Sequence, residues 1–168
     1  MYEFAIDTAA PKAELYRDLI SAADALTSGE TDAVANMANV AALLWEYLPD
    51  VNWTGFYRMV DGDPSTGAAK ELVLGPFQGK AACIRIALGK GVCGTAAKTG
   101  VTQLVTDVHA FPGHIACDAN SASELVVPVK RDGKVIAVID LDSPSLMRFD
   151  HHDAAGVEAL ADILSTRL

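Results

Sequence analysis

Two apolar segments, residues 125–130 and 134–141, approach each other around Asp132-Gly133. Short apolar runs bounded by turn residues read as strands. Asp-Gly between two of them is a strong hairpin signal. The rest of the chain has to pack around that hairpin, and it supplies both further strands and covering helices. Residues 1–10 read as a loose N-terminal arm. A helix over residues 11–26 aligns Leu15, Leu19, Ala22 and Leu26, with Pro11 in its first turn. A second helix carries Val34, Met37, Ala41, Leu44, Trp45 and Leu48 on one face and ends at Pro49-Asp50.

Residues 51–60, 71–77, 82–88 and 102–106 are predicted strands, rich in β-branched and aromatic side chains. Between the last two, Gly89-Lys90-Gly91-Val92-Cys93-Gly94 opens a short helix that stops at Gly100. Residues 107–123 form a long loop, and loops of that length inside a compact domain usually carry function or are disordered. Asp150 caps a closing helix with Val157, Leu160, Ala161, Leu164 and Leu168 on one face. The prediction is one α+β domain over residues 1–168, with its terminal helices packed together on one face of a mostly antiparallel sheet.

No apolar run approaches the roughly 18 residues needed to cross a bilayer. The first residues lack the basic and apolar regions of a leader peptide, so the expected location is cytoplasmic, with no membrane partner. The net charge of −9, without Lys/Arg clusters, argues against a nucleic-acid partner and serves solubility. Three cysteines are an odd number, which argues against a structural disulfide framework. Buried apolar thiols, a metal site and redox chemistry all remain open.

Asp140 and Asp142 end the last strand on one face, because side chains alternate along a strand. An isolated Asp-x-Asp is most simply a strand running out into solvent. The hairpin register sharpens this. A two-residue loop would pair Leu125 with Asp140 and turn Glu124 away. A three-residue loop, Arg131-Asp132-Gly133 with Gly133 left-handed, pairs Lys130 with Lys134 and sets Glu124 opposite Asp140 and Ala122 opposite Asp142. We expect the three-residue loop. Opposed acids destabilise a sheet and raise at least one carboxyl pKa, so such an arrangement points to a ligand.

The cysteine spacings contain no Cys-x-x-Cys. A zinc cage of Cys83, Cys93, Cys117 and His114 can be written down but lacks the usual knuckle spacing. Cys93 sits at a helix start, where the dipole favours a thiolate or an anionic ligand group. Cys83 falls inside a predicted strand. Cys117 falls in the long loop, within Phe111-Pro112-Gly113-His114-Ile115-Ala116-Cys117-Asp118-Ala119. His109, His151 and His152 read as surface or capping residues.

Several motifs in order carry a resemblance. They are Asn52-Trp53-Thr54-Gly55-Phe56-Tyr57, Leu74-Gly75-Pro76-Phe77-Gln78-Gly79-Lys80-Ala81-Ala82-Cys83, Gly89-Lys90-Gly91-Val92-Cys93-Gly94-Thr95-Ala96, Asp107-Val108-His109, Gly113-His114-Ile115-Ala116-Cys117-Asp118 and Val138-Ile139-Asp140-Leu141-Asp142-Ser143. Together they resemble the free methionine-(R)-sulfoxide reductases, which are single GAF-domain enzymes. The resemblance implies a GAF-like, six-stranded antiparallel sheet, with a short inserted helix and long loop over the face opposite the terminal helices. It implies Cys117 as nucleophile, Cys83 as resolving cysteine and Cys93 as an alternative resolving partner. Glu124, Asp140 and Asp142 match the substrate-binding acids, and Trp53 and Tyr57 match an aromatic wall beside the substrate. The implied substrate is free methionine-(R)-sulfoxide, with no bound cofactor or metal and with electrons from a thioredoxin-type dithiol. Helix-start amides near residues 93–95 are candidates for the substrate carboxylate. A homodimer is compatible with the sequence, which does not itself set the oligomeric state. GAF domains also include non-catalytic small-ligand sensors, which need a pocket but not three cysteines.

Overall fold

The structure, a computed structural model, describes residues 4, 6–63, 65, 67, 69–113 and 120–168. Six strands form one antiparallel sheet: β1 (Trp53–Asp61), β2 (Lys70–Gly79), β3 (Arg85–Ala87), β4 (Gln103–Val105), β5 (Ser123–Arg131) and β6 (Lys134–Ser143). Their order is β3-β2-β1-β6-β5-β4, so the apolar hairpin lies inside the sheet and β3 and β4 are its edges. Among the described residues there are four α-helices, α1 (Lys12–Thr27), α2 (Ala33–Tyr47), α3 (Gly91–Thr99) and α4 (His151–Leu164).

The sheet separates two apolar clusters. On one face α1, α2 and α4 pack over Phe56, Leu125, Val127, Ile139 and Leu141. On the other, Val92, Cys93, Ala96 and Ala97 of α3 pack over Trp53, Tyr57, Val126 and Val138. Alternation along β1, β5 and β6 divides their side chains between these clusters. The N-terminal arm is not loose along its length, because Phe4 and Ile6 pack against the larger cluster. Among the described residues, no helix is long and apolar enough to cross a membrane.

On α2 the buried stripe is Met37, Val40, Ala41, Leu44 and Leu48, whereas Val34 and Trp45 are exposed. The buried face is therefore rotated from the expected one. Val34 and Trp45 are 11 residues apart, close to three full turns, so they share one flank outside the stripe. α4 opens on a capping box between Asp150 and Asp153. Asp153 is fully buried, where it meets Lys12, accepts from Tyr16 Oη at 2.9 Å and pairs with Arg148 at 3.3 Å. This network ties α1 to α4.

Gly156 lets the same two helices touch. A Cβ there would lie 2.3 Å from Cγ and Cδ1 of Tyr16, whose hydroxyl is fixed by Asp153. Gly156→Ala gains about 1 kcal/mol in helix propensity but forces the ring out of place. Overpacking should win, leaving a net loss of about 1–3 kcal/mol in urea unfolding. An unchanged or raised midpoint would show that the ring yields freely.

The β5–β6 loop corrects the expected register. Arg131 pairs with Lys134, so the loop is the two residues Asp132-Gly133, with φ of 51° and 75°. Positive φ at both positions is the type I′ turn, whose twist matches that of the strands. The register then shifts between Val129 and Lys130: Lys130 pairs with Val135 but Val129 with Ala137, leaving Ile136 as an extra residue. This bulge restores the parity that the two-residue loop would have lost. Glu124 therefore pairs with Asp142, not Asp140, and Asp140 pairs with Val126. Ala122 is not opposite Asp142; its N–H bonds the Ser143 carbonyl at 2.7 Å.

Candidate active site

β1, β6 and β5 lie side by side and present one face to α3. Asp140 is paired with Gly55 on β1, and Asp142 with Trp53 on β1 and Glu124 on β5. Tyr57 lies opposite Val138. All three acids, Trp53, Tyr57 and Cys93 line a single cavity. The predicted cluster is thus assembled, by a bulge instead of a longer loop.

Gly55 shapes the aromatic wall. A Cβ there would come within 2.4 Å of Phe77 Cβ and 2.7 Å of Trp53 Cη2. Its absence lets the Trp53 ring stack on Phe77, with centroids 5.2 Å apart and planes 13° from parallel. Tyr57 also stacks with Trp53, at 5.9 Å. Trp53 Nε1 donates to the Lys80 carbonyl at 3.0 Å, which fixes the ring. Phe77 was not singled out in the sequence. The Gly55↔Phe77 pairing brings it to Trp53, and the register shift that follows it in β1–β2 is not written in the side-chain pattern.

The electrostatics follow from burial. Glu124 and Asp140 are only 7% and 6% exposed. Burial pushes the Glu124 carboxyl well above its usual range, and Asp140 and Asp142 push it further. Burial also raises Asp140, to about 6, while contacts from Cys93 and Glu124 restrain it. Asp140 Oδ1 is buried with no hydrogen-bond partner among the described residues. The favoured state near neutral pH is a protonated Glu124 beside a largely ionised Asp140. One group is poised to donate a proton and the other to hold a cation. Burial, reinforced by Asp140, likewise raises the Tyr57 hydroxyl.

Cys93 departs from expectation. It lies in the first turn of α3 but is buried, and burial together with Asp140 and Glu124 raises its thiol well above the ordinary value. Desolvation and two acids outweigh the helix dipole, so Cys93 is a neutral thiol and not a thiolate. Cys93, Glu124 and Asp140 offer one donor atom each within 4.8 Å of one another, a spacing that suits an ammonium group or a metal ion. Cys83 lies ahead of β3, not within a strand; it is half-buried and disulfide-bonded. In this form it cannot serve as a thiolate in a zinc cage. Cys117 and His114 lie outside the described residues.

The cavity-lining residues at the start of α3 are Lys90, Gly91, Val92 and Cys93. Candidate anion-binding amides therefore narrow to the first turn, residues 91–93, since the Gly94 N–H is already bonded to the Lys90 carbonyl at 3.0 Å. First-turn N–H groups have no partner within a helix. Ser121, which accepts from Asn52 Nδ2 at 3.2 Å, also lines the cavity and was not anticipated. His109, His151 and His152 are exposed, in line with surface roles.

The chain matches the GAF domain family over residues 32–168. It is 48% identical over 149 residues to the free methionine-R-sulfoxide reductase of Escherichia coli, covering 89% of this chain and 86% of that protein. It is 43% identical over 159 residues to the Saccharomyces cerevisiae protein of the same name, covering 92% and 86%. The fold matches the X-ray structure of free methionine-R-sulfoxide reductase from Neisseria meningitidis in complex with its substrate. There the TM-score is 0.89 at 46% identity, over 99% of this chain and 95% of that one.

Proposed function

This chain belongs to the GAF-domain family, among its free methionine-R-sulfoxide reductases, and on that premise we propose that it reduces free L-methionine-(R)-sulfoxide through a cysteine sulfenic acid and an intramolecular disulfide. The observation that carries this reading is the cluster of Glu124, Asp140 and Asp142 facing an aromatic wall in one cavity. Asp140, with its unpartnered oxygen, and Asp142 take the substrate α-ammonium. N–H groups in the first turn of α3 take the α-carboxylate. Trp53 and Tyr57 take the thioether and its methyl group.

The Cys117 thiolate attacks the sulfoxide sulfur while Glu124 donates its proton to the sulfoxide oxygen. The sulfur–oxygen bond and the transient Cys117–substrate S–S bond then break as the hydroxyl passes to the Cys117 sulfur, so methionine departs with its sulfur reduced by two electrons and Cys117 is left as the sulfenic acid. Cys83 attacks that sulfur, water leaves, and a disulfide forms. The disulfide at Cys83 is consistent with this resolving role. A thioredoxin-type dithiol returns both cysteines to thiols, which places the cycle in a reducing compartment such as the cytoplasm. Recognition of both charged α-groups excludes a methionine sulfoxide inside a peptide.

The test is NADPH oxidation coupled through thioredoxin reductase and thioredoxin. Free methionine-(R)-sulfoxide, its (S) epimer and a peptide-bound sulfoxide serve as substrates. Turnover is expected with the free (R) epimer alone. Equal rates on the (S) epimer would remove the stereochemical assignment, and inactivity on all three would favour a ligand sensor.

A further inference from the structure

The stretch of chain that carries Cys83 differs in charge from the rest of the sequence. From residue 72 to residue 106 there are four cations, Lys80, Arg85, Lys90 and Lys98, and no Asp or Glu. All 22 acids therefore lie elsewhere, against nine Lys and Arg. Arg85 is committed to Glu71. Lys80 and Lys90 are exposed and both line the cavity. Lys98 is exposed and its side chain lies over Gly89, the neighbour of Lys90. The disulfide-bonded Cys83 sits within this stretch, and next to it Ile84 is 71% exposed. The adjoining strand β3 is an edge strand of the sheet. An apolar side chain beside a disulfide, in a cationic stretch of an otherwise acidic protein, suits an acidic partner that must reach that sulfur.

Building on the reductase assignment, we propose that this surface is the docking face for an acidic protein carrying a vicinal dithiol, and that the reductant attacks the sulfur of Cys83. Ile84 supplies the apolar contact, and Lys98 with Lys90 steers the approach. The reductant thiolate forms a bond to Cys83 Sγ, the Cys83–Cys117 bond breaks, and Cys117 leaves as a thiolate. That direction is favoured because the cysteine that acts as nucleophile on the sulfoxide is the better leaving group. The second thiol of the reductant then displaces Cys83. Two electrons have moved from the dithiol to the enzyme disulfide.

Turnover of free methionine-(R)-sulfoxide is measured with an acidic thioredoxin kept reduced by NADPH and its reductase, and in parallel with dithiothreitol. Ile84→Asp and Lys98→Glu are each expected to raise the KM for thioredoxin about three- to tenfold. The dithiothreitol-driven rate should stay within about twofold, because a small reductant needs no docking face. Added salt should raise the thioredoxin KM of the unaltered protein. A thioredoxin lacking its second cysteine should be trapped on Cys83, as located by peptide mass mapping. Unchanged thioredoxin KM values in both variants, or trapping on Cys117, would overturn the proposal. Failure of dithiothreitol to support any turnover would count against the reductase assignment itself, so the two failures are distinguishable.

Discussion

Glu124→Gln is expected to lower kcat/KM for free methionine-(R)-sulfoxide by about 100- to 1,000-fold, the usual range for removing a proton donor aimed at a developing oxyanion. The same change should stabilise the substrate-free protein. Burial and two neighbouring acids raise the folded-state pKa of Glu124, so the folded state binds its proton more tightly than the unfolded chain does. The favourable contribution of that proton is complete below the unfolded pKa, about 4.3. It is lost as pH rises through the folded value. The amide that replaces the carboxyl in the variant is neutral throughout, so its advantage grows with pH. A gain of about 1–3 kcal/mol in urea unfolding at pH 9, vanishing towards pH 4, is the expected result. Lost activity with equal or lower stability at pH 9 would mean that Glu124 is ionised in the resting enzyme. A different acid would then have to carry the proton.

The opposition of function and stability at this position also explains why the site was partly legible in the sequence. Three acids at the end of two strands that are otherwise apolar make sense only if they share a face. Sharing a face depends on parity alone, not on the particular register. A three-residue loop and a two-residue loop followed by a bulge give the same parity. The acids therefore fall on one face for a reason that survives the wrong loop. The bulge itself is not legible, because nothing in Lys134-Val135-Ile136-Ala137 marks Ile136 as the residue to be skipped. Similarly, the helical period locates α2, but the width of its buried arc is fixed by α1, β1 and β2 beside it. That is why Val34 and Trp45 fall outside. The protonation of Cys93 is hidden from the sequence because it depends on Asp140 and Glu124, which reach it only through the fold. Phe77 and Ser121 become neighbours of the cavity through pairings far apart in sequence, and no local pattern announces either.

Cys117→Ser should abolish turnover, with a loss of at least about 10,000-fold, because a serine hydroxyl supplies no nucleophile near neutral pH without an activating base. Cys83→Ser should behave differently. The first chemical step does not use Cys83, so one equivalent of methionine per chain should appear in a rapid-quench burst. Steady-state turnover with thioredoxin should then fall about 10- to 100-fold as the sulfenic acid accumulates without its resolving thiol. The accumulated species is detected as a dimedone adduct on Cys117 by peptide mass mapping. Cys93 is poorly suited to take over, since it is buried and holds its proton against two neighbouring acids, and thiol attack requires the thiolate. A Cys83→Ser protein that turns over at the unaltered rate would therefore show either that Cys93 escapes this environment during the cycle or that thioredoxin reduces the sulfenic acid directly. Adding Cys93→Ser to Cys83→Ser separates these. The rate collapses in the first case and persists in the second.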